Sequence, residues 1–175
     1  MIMENSCIHE TMKIEKAGIS EIDLIMKWRM ETLEAVFGID FSDYPEDPSL
    51  GQRLEEANRA YFLQHLEDDS CIFCFGKIKD QIASCGAIIS YQELPSPDYP
   101  SGRCAYLMNI YTAPSFRHQT FGRQIVRWLI EQAQKQGAQK IYLDTSEAGR
   151  PLYQAAGFQD MTDYMVFESR NMHEK

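Results

Sequence analysis

The chain has 175 residues, 44% hydrophobic and 25% charged, with a formal net charge of -9. That length suits one domain whose core buries about two thirds of the unfolded surface, and the composition excludes a disordered or low-complexity chain. No run of about 18 apolar residues occurs, which excludes a membrane-spanning helix.

The charge is unevenly spread. Residues 1–100 hold 19 acidic against 8 basic side chains, whereas residues 101–175 hold 7 against 9. The acidic first part repels nucleic acid and attracts cations, and the mildly basic second part can receive an anionic cofactor. The same acidity also serves solubility alone. Neither nucleic acid nor a membrane is expected as a partner.

Met1 to Glu10 is acidic and polar where an export signal needs basic residues and then an apolar run. Five cysteines at irregular spacing fit a reducing compartment better than a disulfide framework, so a cytoplasmic location is expected. Glu21 to Phe37 places Ile22, Ile25, Met26, Arg29, Leu33 and Val36 at helical spacing, with Ser20 as the candidate cap. Phe41 to Gly51, with Pro45, Pro48 and its acidic residues, reads as a loop before a second helix over Leu54 to Leu66.

From Ser70 the pattern changes to β-formers. Cys71 to Ile78 and Ile82 to Tyr91, separated by Lys79-Asp80-Gln81, predict a hairpin, and Arg103 to Thr112 predicts a third strand after the proline-bearing loop Glu93 to Gly102. After Pro114, Ile125, Val126, Leu129, Ile130 and Ala133 share one helical face, and Gly137 suits the C-terminal cap. Ile141 to Leu143 predicts a short buried strand parallel to the third. A short helix follows, started at Pro151 and stopped at Gly157, and a last strand is expected over about Asp163 to Glu168. Together these predict an α/β domain, a central mixed sheet flanked by helices.

The turn between the third strand and the long helix reads Arg117-His118-Gln119-Thr120-Phe121-Gly122-Arg123. A helix start leaves about four backbone N–H groups without partners and carries partial positive charge, which suits a phosphate. Gly122 lets a ligand approach the backbone, and Arg117, Arg123 and His118 can add contacts to a pyrophosphate. Read alone, the segment serves equally as a solvated helix start. Neither the P-loop nor the dinucleotide glycine pattern occurs in the chain.

Tyr106 to Phe158 resembles the core of the GCN5-related N-acetyltransferases (GNAT), whose pyrophosphate loop runs Q/R-x-x-G-x-G/A before a helix. Arg117, Phe121 and Gly122 match its first, fifth and sixth positions, while Thr120 stands where the family usually has glycine. Thr120 is expected to keep a negative φ, because a β-branched residue at positive φ is strained. Met108 to Pro114 is similar to the family's fourth strand, and Leu152 to Phe158 to its L-Y-x-x-x-G-F signature.

The resemblance implies the GNAT acyl-CoA N-acyltransferase fold over residues 1–175 as one domain, with an acceptor side over about 1–102 and an acetyl-CoA-binding core over about 103–168. It implies acetyl transfer from acetyl-CoA to an amine of a small cationic molecule or peptide. Ile110, Tyr111 and Thr112 would hold the pantetheine arm, and residues 117–123 the pyrophosphate. Ser146 would stand in for an asparagine common before the short helix. Tyr153 would protonate the departing thiolate. Relatives often form dimers, so the resemblance allows a homodimer.

No acidic residue lies in Arg103 to Thr112, where many relatives keep a base. Glu93, Asp98, Asp144 and Glu147 are candidates near the acceptor rim, and none is singled out. That vacancy, together with Thr120, motivates one alternative, a non-catalytic acyl-CoA-binding regulatory module; an O-acyl or longer-chain transferase is a second, which sequence does not separate from N-acetyl transfer. A zinc reading of Cys71-x-x-Cys74 with Cys85 and Cys104 is rejected, because strand positions three apart face opposite ways. His9, His65, His118 and His173 show no ligand spacing, and no metal is expected.

Overall fold

The computed structural model describes residues 11–167. One sheet runs in the order β1 (Lys13–Ala17), β2 (Cys71–Ile78), β3 (Gln81–Gln92), β4 (Arg103–Thr112) and β5 (Lys140–Tyr142). The first four are antiparallel neighbours, and β5 lies parallel to β4. Helices α1 (Ile22–Phe37) and α2 (Leu50–Glu67) cover one face, with Ile25, Met26, Trp28 and Phe62 packed on Phe73, Phe75 and Ala87. Helices α3 (Phe121–Lys135) and α4 (Arg150–Gln154) cover the other, with Ile125, Val126 and Leu129 on Ile72, Ile88 and Leu107. Covering on both faces is why β2 reads as an almost continuous apolar run.

The α3 helix lies very close to the sheet. A Cβ at Gly86 would sit 2.6 Å from Ile125 Cγ2 and 2.8 Å from Leu129 Cδ1, so only glycine lets the helix settle there. Opposite Gly86, β4 carries one residue more than β3: Cys85 pairs with Tyr111 but Ala87 with Met108. Asn109 takes φ 55° in this bulge. The extra residue turns both Met108 and Asn109 toward the α1 face, while Leu107 and Ile110 face α3.

Several expectations are corrected. β1 is missed by pattern reading because Lys13, Glu15 and Lys16 mask its two-residue period; they blunt a sheet edge instead. Lys13 and Lys77 flank Glu15 and hold its carboxyl down at about 2. A tight turn over Ile19–Glu21 replaces the Ser20 cap, and the Glu21 carboxylate accepts from Gly18 N–H at 3.1 Å. The second helix begins a turn early because Asp47 accepts from Ser49 N–H at 3.2 Å and from Arg53 Nη2 at 2.6 Å.

The strand expected over Asp163–Glu168 does not form: residues 163–167 are irregular, and Glu168 lies outside the described residues, as does Met1–Glu10. Here β5 is only three residues long, and Met165, Val166 and Phe167 stay exposed. The hairpin, the third strand, the long helix and the stops at Gly137 and Gly157, both at positive φ, lie where the sequence places them. Among the described residues no helix is long and apolar enough to cross a membrane.

Buried thiols make the fold alkali-sensitive. Burial pushes Cys71 and Cys85 from 9.0 up to about 12, and raises Cys74 and Cys104 in the same direction. The native state therefore holds protons that the unfolded chain releases first. Stability is full below the unfolded thiol pKa and falls as pH rises toward the folded one. Thermal melts followed by circular dichroism should show a steady Tm to about pH 8 and a progressive fall between about pH 9 and 12. A Tm that held level through that window would contradict this.

Candidate active site

β4 and β5 pair only from Cys104–Tyr106 to Lys140–Tyr142. Beyond that point β4 continues to Thr112 without a β5 partner, so the strands part and leave β4 backbone groups open on that edge. Sequence-expected Ile110, Tyr111 and Thr112 lie on this open stretch. Ile110 packs into the α3-side core. Tyr111 sits edge-on to Trp28 at 5.8 Å, and its carbonyl accepts from the Ser84 hydroxyl at 2.7 Å. The Thr112 carbonyl accepts from Arg117 Nε at 3.2 Å, which folds the arginine back over the Tyr111 ring.

The turn into α3 follows directly. His118 has φ 63° and Thr120 φ 67°, so the expectation of a negative φ at Thr120 is wrong. Successive left-handed kinks swing the chain off β4 and into the helix within a few residues. The geometry of the loop outweighs the local cost of a β-branched residue. Thr120 makes no side-chain cap, and the first intrahelical bond runs from Gln124 N–H to the Thr120 carbonyl at 3.1 Å. Amides of Phe121, Gly122 and Arg123 therefore have no partner among the described residues.

Phe121 is buried and anchors the turn against Phe116, so it offers only its N–H outward. Above Gly122 the nearest atoms to a Cβ would be Thr112 Oγ1 at 3.4 Å and Leu152 Cδ2 at 3.7 Å. Arg117, His118, Gln119 and Arg123 are exposed around the same turn. Gln119 Nε2 donates to the Ser115 carbonyl at 3.4 Å. Free amides, exposed arginines and an uncluttered glycine together fit a pyrophosphate.

A cleft of about 640 Å³ lies between β5, α4 and the chain beyond it, lined by Tyr106, Leu143, Asp144 and Tyr153 among others. Tyr153 stands edge-on to Phe158 at 6.0 Å, and burial raises its phenol above the ordinary tyrosine value. Its hydroxyl has no partner among the described residues. It is therefore accessible, since no buried side-chain oxygen is left unpaired. Across the cleft Tyr106 donates to Asp144 Oδ2 at 2.5 Å; burial and that carboxylate push Tyr106 up to about 12.

Ser146 is placed less centrally. Its hydroxyl accepts from Gly149 N–H at 3.2 Å and its carbonyl from Arg150 N–H at 3.1 Å, so it shapes the start of α4. Among the acidic candidates, Glu93 accepts from Tyr91 and Tyr142 hydroxyls at 3.2 Å each, Asp98 and Glu147 are exposed, and only Asp144 enters the cleft beside Tyr153. Cys71 and Cys74 fall into opposite cores, so they share no site. His9 and His173 lie outside the described residues.

Sequence reasoning missed a polar group on the α1 face. Arg29 Nε donates to Asn58 Oδ1 at 2.8 Å, and Nη1 to Asn109 Oδ1 at 2.9 Å. The available signal is an arginine in line with Ile22, Ile25, Met26 and Leu33, on a helix face that otherwise turns inward.

The sheet's parallel pair thus parts in front of a helix start, with a tyrosine in the adjoining cleft. Residues 27–158 match the Acetyltransferase (GNAT) family, and the chain belongs to that family of enzymes. Similar solved structures include a predicted acetyltransferase of Clostridium acetobutylicum determined with acetyl-CoA. It is 25% identical, with a TM-score of 0.75 over 90% of this chain and 96% of that one. A GCN5-related N-acetyltransferase of Ralstonia eutropha JMP134 is 18% identical, with a TM-score of 0.74 over 91% and 100%. Glucosamine-6-phosphate N-acetyltransferase of Arabidopsis thaliana is 21% identical, with a TM-score of 0.62 over 92% and 100%.

The left-handed threonine gives a direct test. Thr120→Gly removes a Cβ from an αL position and should stabilise the protein by about 1 kcal/mol, read as a higher Tm. A lower Tm would mean that the Gln124 Nε2 contact to Thr120 Oγ1 at 3.4 Å outweighs the strain.

Proposed function

We propose that this enzyme transfers acetyl from acetyl-CoA to an amine of a small molecule or peptide by direct attack on the thioester. The observation that carries the reading is the run of unpaired amides at Phe121, Gly122 and Arg123, set at the end of the open β4 edge. Those amides, with Arg117 and Arg123, would hold the pyrophosphate. The backbone groups that Ile110 to Thr112 leave open on the β4 edge would align the pantetheine arm, with Arg117 swinging off the Thr112 carbonyl, and Ser146 would border it.

Acetyl-CoA supplies a thioester carbon that an amine attacks, with coenzyme A leaving as a thiolate. Tyr153 donates its phenolic proton to that sulfur. Burial keeps the phenol protonated through neutral pH, so the donor is always loaded. The proton shed by the attacking nitrogen restores it through the solvent of the cleft. The acceptor would approach from the side of the sheet that carries α1 and α2, and the acidic side chains of residues 1–100 favour an approaching ammonium. A cytoplasmic setting belongs to the same proposal, supported by the free buried thiols of Cys71, Cys74, Cys85 and Cys104.

Calorimetry should show acetyl-CoA binding with one site per chain, weakened about tenfold or more by Arg123→Ala. Absence of binding to the full chain would remove this function. Tyr153→Phe should lower kcat by about a hundredfold while leaving acetyl-CoA affinity nearly unchanged. An unaltered kcat would transfer the donor role to another group.

A further inference from the structure

Arg29 is an ionised side chain set between α1, α2 and the sheet, with no counterion among the described residues. Its guanidinium is partly buried, and desolvation pulls its pKa down from the ordinary arginine value. Two neutral amides hold it: Asn58 from α2 on Nε and Asn109 from the β4 bulge on Nη1. Both amides are themselves fixed. Asn58 Nδ2 donates to the Leu54 carbonyl at 2.7 Å, and Asn109 Nδ2 to Cys85 Sγ at 3.7 Å, which directs each oxygen at the arginine.

Among the described residues Arg29 makes no ion pair, although acidic side chains are plentiful on α1 and α2. Asp23, which belongs to the same helix, pairs with Arg59 instead. Partial burial of an unpaired charge costs stability, and a carboxylate at position 58 would offset it. Amides there hold the fork in place and leave its charge unspent. Among the described residues Nη2 has no partner, and since none of their buried side-chain nitrogens is left unpaired, this nitrogen is open to solvent at least in part.

Position completes the argument. Asn109 lies on the open β4 stretch immediately before Ile110, the first of the three residues assigned to the pantetheine arm, and the bulge turns its side chain to the face covered by α1 and α2. An anion on Nη2 would therefore sit beside the fork, on the acceptor's side of the sheet.

We propose that Arg29, positioned by Asn58 and Asn109, binds an anionic group of the acceptor, so that the preferred substrate carries a carboxylate or phosphate as well as its amine. This rests on the acetyltransferase reading above and narrows it: the amine answers the acidic surface, and the anion answers Arg29.

Coenzyme A release by the full chain, supplied with acetyl-CoA, tests it on amines offered in matched pairs. Phenylalanine is compared with phenylalaninamide, lysine with cadaverine, and O-phosphoethanolamine with ethanolamine. In at least one pair the anionic member should be preferred in kcat/KM by about tenfold or more. Arg29→Gln should abolish that preference through KM, and Arg29→Lys should retain part of it. Should Arg29→Gln fail to fold, Asn58→Asp places a carboxylate on the same Nε and should reduce the preference with the arginine still in place. Phenylalanine against phosphoethanolamine separates carboxylate from phosphate.

Neutral members favoured in every pair, a preference that survives Arg29→Gln or Asn58→Asp, or no turnover of any anionic member would each overturn the assignment. Acetyl-CoA binding, measured on the same preparations, separates this outcome from failure of the transferase reading itself.

Discussion

Between Cys85 and Ala87 of β3, strand β4 fits in one residue too many, and the accommodation of Asn109 organises what surrounds it. The bulge is seated against Gly86, where any larger residue would collide with Ile110, Ile125 and Leu129. Because the side-chain period of a strand is two, the extra residue places Met108 and Asn109 on one face. A buried hydrophobic face thereby gains one polar side chain, which Arg29 meets from α1. The same strand carries on past the end of β5 and gives the fork its open edge.

Backbone strain recurs at the other end of that edge. His118 and Thr120 both take left-handed φ, and these kinks deliver Phe121 to the core and the next amides to the solvent. Side chains of the 117–123 turn are mostly directed outward or used as anchors, and the N–H groups it leaves unpaired are ones that any sequence of similar path would present. This explains how threonine can occupy a position where relatives carry glycine: the conformation is required, and the residue is tolerated at a cost.

Around the fork, burial rather than charge sets the protonation states. Tyr153 rises because it is desolvated, and Tyr106 rises for the same reason with Asp144 adding to it. Both phenols stay protonated at neutral pH, which suits proton donation to a thiolate and makes neither of them a base. Asp144 is the carboxylate that tertiary folding brings beside Tyr153, out of four candidates along the chain that sequence could not rank.

Much of the scaffold was readable because apolar periodicity is a local property. The β2–β3 hairpin, β4 and α3 all follow from runs of residues that must bury one or both faces, and the stops at Gly137 and Gly157 follow from backbone chirality. The turn into α3 was readable too, since a helix start preceded by a strand has free amides wherever it occurs. β1 was not, because its charges disguise the alternation, and the expected last strand depended on an edge partner that β5 is too short to provide. Nor could any local pattern reveal the φ of Thr120, the bulge at Asn109, or the meeting of Arg29, Asn58 and Asn109. By itself the sequence determined most of the helices and strands and where β4 turns into α3; the tertiary structure alone decided which polar groups face each other across the fork, because that depends on strand register and on contacts between residues 29 and 80 positions apart.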